Sequence, residues 1–159
     1  MPSPLLAFVA LGSNLGDSRN LLLRAVNRLQ ALTDHPVVVS DLMQTEPVDC
    51  PPGSPPFLNA VAAIQPRLSE TPEHLLTSLQ QIENELGRRR SGVQNEARTL
   101  DLDLIAFGTE VRQSPVLTLP HPRAHLRGFV LKPMAQIAPQ FVLPGQSRTV
   151  QELLNDLLP

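Results

Sequence analysis

The sequence is poor in the residues that build several familiar kinds of protein. Cys50 is its one cysteine, which excludes an internal disulfide and any cysteine-based zinc cluster and suits a reducing compartment. Tryptophan and tyrosine are absent, so the five phenylalanines are the only aromatic side chains. Neither charge sign dominates: the net charge is -2 and the pI is near 6.1, which gives no bulk attraction to nucleic acid or to an anionic membrane. The apolar run 5–11 has no basic flank and is too short for a signal core with its cleavage site or for a membrane span. These absences lead to the expectation of a cytoplasmic protein with neither a nucleic-acid nor a membrane partner.

What is present is a chain of 159 residues, 42% of them hydrophobic, which is one domain's worth and enough for a real core. We therefore expect a single domain over residues 1–159. Residues 5–11 read as a buried strand, and the turn GSNLGD at 12–17 leads into a helix whose apolar positions Leu22, Ala25, Val26, Leu29 and Leu32 follow the 3.6 period. Val37, Val38 and Val39 mark a second strand by β-branching and residues 57–64 a third. Between them, residues 46–56 carry five prolines and read as a stiff loop.

A helix over 72–86 is well specified. Thr71 is a candidate N-cap, Pro72 occupies the first helical position, Leu75, Leu76, Leu79, Ile82 and Leu86 form a stripe, and Gly87 ends it. Residues 88–97 are polar and basic, 100–107 read as a strand, and Gly108-Thr109 as a turn. After a proline-punctuated stretch at 119–139, Thr149 and Glu152 have the spacing of a capping box for a last helix. Strands and helices interleave without nucleotide-fold glycines, which points to an α+β sandwich with a sheet on one side and helices on the other.

The stretch RTLDLDLIAFG at 98–108 carries the most chemistry. In a strand, residues i and i+2 share a face, so Asp101 and Asp103 point one way while Leu100, Leu102 and Leu104 point the other. Two neighbouring anions call for a positive partner. Mg²⁺ is commonly held by one or two carboxylates together with substrate phosphates; solvated aspartates, or ion pairs to Arg88, Arg90 or Arg98, are the alternative. Arginine forks match phosphate oxygens bidentately, so this arginine-rich segment beside the acidic strand suits a polyphosphate.

GSNLGD lacks the lysine and the glycine spacing of phosphate-binding loops, so a structural turn is expected there. His121 follows Pro120 in a loop and is either a phosphate or nucleobase donor or an ordinary surface histidine. Asn59 lies in an apolar strand, where a buried amide needs partners and would suit the edge of a heterocycle. Phe57 and Phe129 are candidates to stack on such a ring, or to pack in the core.

Taken together, LGSNLGD at 11–17, T-x-P-V at 45–48, FLNAV at 57–61, IENELGRRR at 82–90, RTLDLDLIAFG at 98–108 and LPHPRAHLRGFVLKPMAQIAP at 119–139 resemble the 6-hydroxymethyl-7,8-dihydropterin pyrophosphokinase family of folate biosynthesis. The resemblance spans nearly the whole chain and favours the metal reading of the aspartates. It implies a ferredoxin-like sandwich, a mainly antiparallel sheet with helices packed on it, and a monomeric enzyme acting on small molecules. The implied reaction moves pyrophosphate from ATP to the pterin hydroxymethyl group and releases AMP.

By that resemblance Asp101 and Asp103 match ligands of two Mg²⁺ ions, and Arg88 and Arg98 match catalytic arginines that neutralise the transferring phosphates. Gln80, Glu83, Arg90, Leu104, Thr118, His121 and Arg127 fall at the ATP, and Thr45, Pro47, Val48, Phe57, Asn59 and Phe129 around the pterin. Three departures stand out. Many members carry R-W-G-P-R before the metal strand, where this chain has Val93-Gln94-Asn95-Glu96-Ala97-Arg98; some have arginine in place of Val116 and proline in place of Glu46.

Rival functions follow from parts of the same features. A D-x-D nucleotide-sugar transferase would also use a metal-bridged diphosphate, but the chain is small for one that must also hold an acceptor domain. An RNA-binding module of ferredoxin-like fold would use the arginine-rich loop, against which stand the negative charge, phenylalanine as the only aromatic type and the lack of an RNA-binding aromatic signature.

Overall fold

A computed structural model describes residues 4–14, 17–45, 56–87 and 100–157. Strand β1 (Ala7–Ser13) leads to helix α1 (Ser18–Gln30), then to the short strands β2 (Val38–Val39) and β3 (Met43–Thr45), and to β4 (Phe57–Ile64). Helix α2 (Pro72–Gly87) and strand β5 (Asp101–Phe107) follow, then a hairpin of β6 (Arg112–Gln113) and β7 (Thr118–Leu119). A 3₁₀ turn (Ala124–Leu126), α3 (Gly128–Ile137) and α4 (Val150–Leu157) complete the described chain.

The main sheet runs β2-β4-β1-β5, with β3 also pairing β4, and all its pairings are antiparallel. With β2 and β3 counted as one interrupted strand, β1-α1-β2/β3 and β4-α2-β5 are two interlocked split β-α-β units, the ferredoxin-like arrangement. The α+β class and the antiparallel sheet agree with the sequence reading. The helices, however, cover both faces of the sheet rather than one.

Alternation along the central strands explains why. Ala7, Val9 and Leu11 of β1 pack with Leu22, Ala25 and Leu29 of α1 and Leu75, Leu79 and Ile82 of α2. On the other face Phe8 of β1, with Val61 and Ala63 of β4, packs against Val130, Leu131 and Met134 of α3 and Val150 and Leu153 of α4. A strand apolar on both sides must be covered on both sides, and the residues after β5 supply the second layer.

Local signals place the helix ends. Asp17 caps α1 by accepting from the Asn20 N–H at 3.2 Å, and the Thr71 hydroxyl accepts from the His74 N–H at 3.1 Å. At α4 the capping box is reciprocal: Glu152 N–H donates to Thr149 Oγ1 at 3.1 Å and Thr149 N–H to a Glu152 carboxylate oxygen at 2.9 Å.

Two irregularities shape the site. Phe8 pairs Ala106 while Val9 pairs Leu104, so Ile105 is an extra residue in β5. It joins Ala106 in the α3/α4 core, and Leu104 and Phe107 stay in the other. Its carbonyl accepts from the His121 N–H at 2.8 Å, so the bulge anchors the loop carrying that histidine. A second bulge separates β2 from β3. Val39 pairs Ala62 and Met43 pairs Asn59, which sets Ser40, Asp41 and Leu42 against two residues of β4.

Candidate active site

The site begins with a row across three strands. Gly12 of β1 pairs Asn59 of β4 on one side and Asp101 of β5 on the other, and in the next row Ala10 stands between Val61 and Asp103. Residues directly opposite in antiparallel strands share a face, so Asn59, Gly12, Ala10, Asp101 and Asp103 look out from the α3/α4 side. With no side chain at 12 and a methyl at 10, the floor is recessed. The result is a cavity of about 420 Å³ lined by Ala10, Gly12, Thr45, Phe57, Asn59, Asp101, Asp103, Arg127 and Phe129.

Its walls differ in chemistry. Asn59 is 7% exposed and its Nδ2 donates to Thr45 Oγ1 at 2.7 Å, with its Oδ1 turned toward Gly12. A Cβ on residue 12 would lie 3.3 Å from that Oδ1, so Gly12 leaves the amide room. Phe57 enters from β4 and Phe129 from the start of α3, where the Arg127 guanidinium stands 5.4 Å from the Phe129 ring centroid. A flat heterocycle with hydrogen-bonding edges fits such a lining.

A second cavity of about 270 Å³ adjoins β5. It is lined by Leu76 of α2, by Leu102, Asp103 and Leu104, by Val116, Leu117 and Thr118 of the β6–β7 hairpin, and by His121 and Pro122. Asp103 belongs to both linings. His121 Nδ1 accepts from the Arg123 N–H at 3.2 Å, which leaves Nε2 to carry the ring proton. Burial pushes the His121 pKa below its ordinary value; the Asp103 carboxylate opposes that shift, and Arg127 and Arg123 add to it. The shift favours the neutral ring, which presents an Nε2–H donor.

The residues singled out from the sequence thus divide. Thr45, Phe57, Asn59, Asp101, Asp103, Arg127 and Phe129 meet in the first cavity, and Leu104, Thr118 and His121 in the second. Arg127, expected beside ATP, lines the cavity that suits a heterocycle. Gln80 is exposed on α2 and lines neither cavity, nor does Glu83, whose carboxylate accepts from the Leu102 N–H at 2.8 Å. Pro47, Val48, Arg88, Arg90 and Arg98 lie outside the described residues. Sequence reasoning missed Ala10 and Gly12 as the floor, although small residues two apart in a strand were the available signal. It also missed Leu76, Leu117 and Pro122, which only the tertiary fold brings together.

The family model of 7,8-dihydro-6-hydroxymethylpterin-pyrophosphokinase matches residues 8–139. The chain belongs to this family. A pyrophosphokinase from Haemophilus influenzae, named for 2-amino-4-hydroxy-6-hydroxymethyldihydropteridine, is 41% identical over 150 residues, covering 94% of this chain and 91% of that protein. Its namesake from Bacillus subtilis is 42% identical over 136 residues, covering 85% and 79%. Among solved structures, wild-type HPPK-DHPS of Plasmodium falciparum with pteroate superposes with a TM-score of 0.73 at 12% identity. It covers 97% of this chain, which spans only 44% of that longer one, and it bears on the fold alone.

This member of the hydroxymethylpterin pyrophosphokinase family is a diphosphate-transferring enzyme of folate biosynthesis with ATP as co-substrate. Its described residues also bear on a divalent cation. Both Asp101 and Asp103 are exposed at the cavity while Leu102 and Leu104 are buried behind them, so the pair is presented outward on a rigid strand. Among the described residues no group of three or more potential ligands gathers. A hard cation that completes its shell with phosphate oxygens and water suits two carboxylates better than a cation needing an all-protein cage.

Proposed function

We propose that the first cavity binds 6-hydroxymethyl-7,8-dihydropterin, that the second receives ATP, and that pyrophosphate passes between them beside Asp103. The membership of Asp103 in both linings is the observation that carries this reading. A carboxylate at the junction of a heterocycle cavity and a second cavity stands where the reacting oxygen and phosphorus must meet.

In this reading the Asn59 amide and Thr45 address the pterin edge, Phe57 and Phe129 hold its faces, and Pro47 and Val48 complete the rim. The hydroxymethyl oxygen forms a bond to the β-phosphorus of ATP as the bond from that phosphorus to the α-phosphate bridging oxygen breaks, releasing AMP. The hydroxyl proton leaves to solvent or phosphate. Asp101 and Asp103 hold Mg²⁺, two ions by our reading, which when bound would supply neutralisation of phosphate charge. Thr118 and the neutral His121 donate to the nucleotide and Leu104 packs beside it. Arg127, which lines the first cavity, reaches its phosphates from the pterin side. Arg88, Arg90 and Arg98 supply guanidinium groups to the transferring phosphates, and Gln80 and Glu83 support the nucleotide from α2. Positioning and charge stabilisation, rather than a dedicated base, supply the rate.

We place this activity in one domain over residues 1–159, in a monomer of the cytoplasm. Sedimentation at working concentration checks the monomer. For the reaction, AMP formation from ATP is expected only when the pterin is present. Asp101→Ala and Asp103→Ala are each expected to lower turnover by at least about 100-fold with an unchanged far-ultraviolet spectrum. Undiminished turnover of either variant at limiting Mg²⁺ would remove the metal assignment. Salt-dependent RNA binding without pterin-dependent AMP release would favour the nucleic-acid alternative.

A further inference from the structure

The two walls of the first cavity share a root. One wall is the sheet, where β3 brings Thr45 to Asn59; the other is the start of α3, with Arg127 and Phe129. At the far end of α3, Gln136 meets Asp41 in the bulge between β2 and β3. Asp41 N–H donates to Gln136 Oε1 at 2.8 Å, and Gln136 Nε2 donates to Asp41 Oδ2 at 3.2 Å. Among the described residues no other side chain of α3 forms a hydrogen bond to the sheet. Thr45 lies four strand residues from Asp41, roughly 13 Å, and Phe129 seven helical residues from Gln136, roughly 10 Å.

The bulge is built to offer that N–H. Ser40 is 7% exposed; its N–H donates to the Val61 carbonyl at 3.0 Å and its Oγ accepts from the Val61 N–H at 2.9 Å. The same hydroxyl donates to the Asp41 carbonyl at 3.0 Å. With Ser40 satisfying β4, the extra residue turns Asp41 out of the ladder, and its backbone donor goes to α3. Elsewhere α3 meets the sheet through apolar side chains such as Val130, Leu131 and Met134, which resist separation but tolerate sliding and rotation better than directional bonds do.

We propose that Asp41 and Gln136 are positioning residues for the pterin. Their paired hydrogen bonds fix the rotation and axial placement of α3 against β3. They thereby set where Phe129 and Arg127 stand relative to Thr45, Phe57 and Asn59. The inference rests on the first cavity being the pterin site, as proposed above. The pair lines neither cavity and acts only through the residues it positions, chiefly on affinity for the heterocycle and, through Arg127, secondarily on the phosphates.

The test uses polarity exchange. Gln136→Glu sets a carboxylate against that of Asp41 and breaks the Nε2 bond, whereas Asp41→Asn combined with Gln136→Glu lets the new amide donate to the new carboxylate and restores it. For the full-length enzyme, Gln136→Glu is expected to raise the pterin KM by about three- to ten-fold, with the ATP KM and kcat within about two-fold of wild type by the same reasoning. The double variant is expected to recover the pterin KM. Amide hydrogen exchange without ligand should show faster exchange over residues 128–131 in the single variant and recovery in the double.

Equal changes in both KM values, a fall in kcat alone, or failure of the double variant to recover would overturn the positioning role. So would altered exchange with an unaltered pterin KM. A wild-type enzyme that did not use the pterin would overturn the function reading instead, and unaltered exchange in Gln136→Glu would then still overturn the positioning role.

Discussion

At the residue scale, the least conspicuous position in the cavity has the clearest consequence. Gly12 has an ordinary backbone conformation, so a larger residue there meets no backbone strain. The constraint is lateral: a Cβ would approach Asn59 Oδ1 to 3.3 Å, tight enough to push the amide by a few tenths of an ångström. Gly12→Ala is therefore expected to weaken pterin binding while leaving the melting temperature nearly unchanged. Asn59→Ala removes the amide outright and should weaken pterin binding by about 10-fold or more. Titration of the two variants with the pterin, beside thermal melts, checks both; a Gly12→Ala protein that binds normally would mean that the amide does not read the ligand. That Asn59 would be buried and need a partner was legible as soon as a polar residue appeared in the apolar strand FLNAVAAI. The role of Gly12 was not, because its neighbour is 47 residues away and only the strand register brings them together.

At the element scale, legibility follows the length of the signal. Helices α1, α2 and α4 carry both period and cap, and strands β1, β4 and β5 carry runs of at least seven residues; these were readable within a residue or two. Strand β2 (Val38–Val39) was legible from its valines, whereas β3, β6 and β7 hold two or three residues each, and their pairing partners rather than their own propensities make them strands. The β5 bulge was hidden because Leu104, Ile105, Ala106 and Phe107 are all apolar, so no alternation shows where the side chains change faces. The joint between α2 and β5 also gives a residue read as a ligand contact a structural partner. Glu83, read as a nucleotide contact, accepts from the N–H of Leu102, a residue only 3% exposed, at 2.8 Å. Glu83→Ala should cost about 1–3 kcal/mol of stability because a buried donor loses its acceptor. It should also raise the ATP KM, since residues 102–104 line the second cavity. Denaturant unfolding and nucleotide kinetics separate the cases: a higher KM with unchanged stability would restore a purely ligand-contacting role.

At the scale of the whole molecule, surface carboxylates tie α2 to α1 and to the β6–β7 hairpin and close the α4 cap. Glu73 of α2 holds Arg112 of the β6–β7 hairpin, Glu85 of α2 pairs Arg28 of α1, and Glu152 closes the α4 cap on Thr149. Each has its pKa lowered from 4.5: Glu73 by the Arg112 hydrogen bond, Glu85 by that of Arg28 and then Gln81, and Glu152 by the Thr149 backbone N–H and then its hydroxyl. A carboxylate whose folded pKa is depressed binds fewer protons than in the unfolded chain. Its stabilisation is therefore complete above about pH 4.5 and is lost as the pH falls through the lower folded value. All three act with the same sign, so the melting temperature should drop on acidification below about pH 4.5, and the part due to Glu73 and Glu85 should shrink in high salt because those pairs are exposed. Replacing all three by glutamine keeps the α4 cap, since a glutamine oxygen still accepts from Thr149, but removes the titrating charge. Melts of both proteins between pH 3 and 7 should show a lower, flatter curve for the triple variant, and parallel curves would show that the acid sensitivity arises elsewhere.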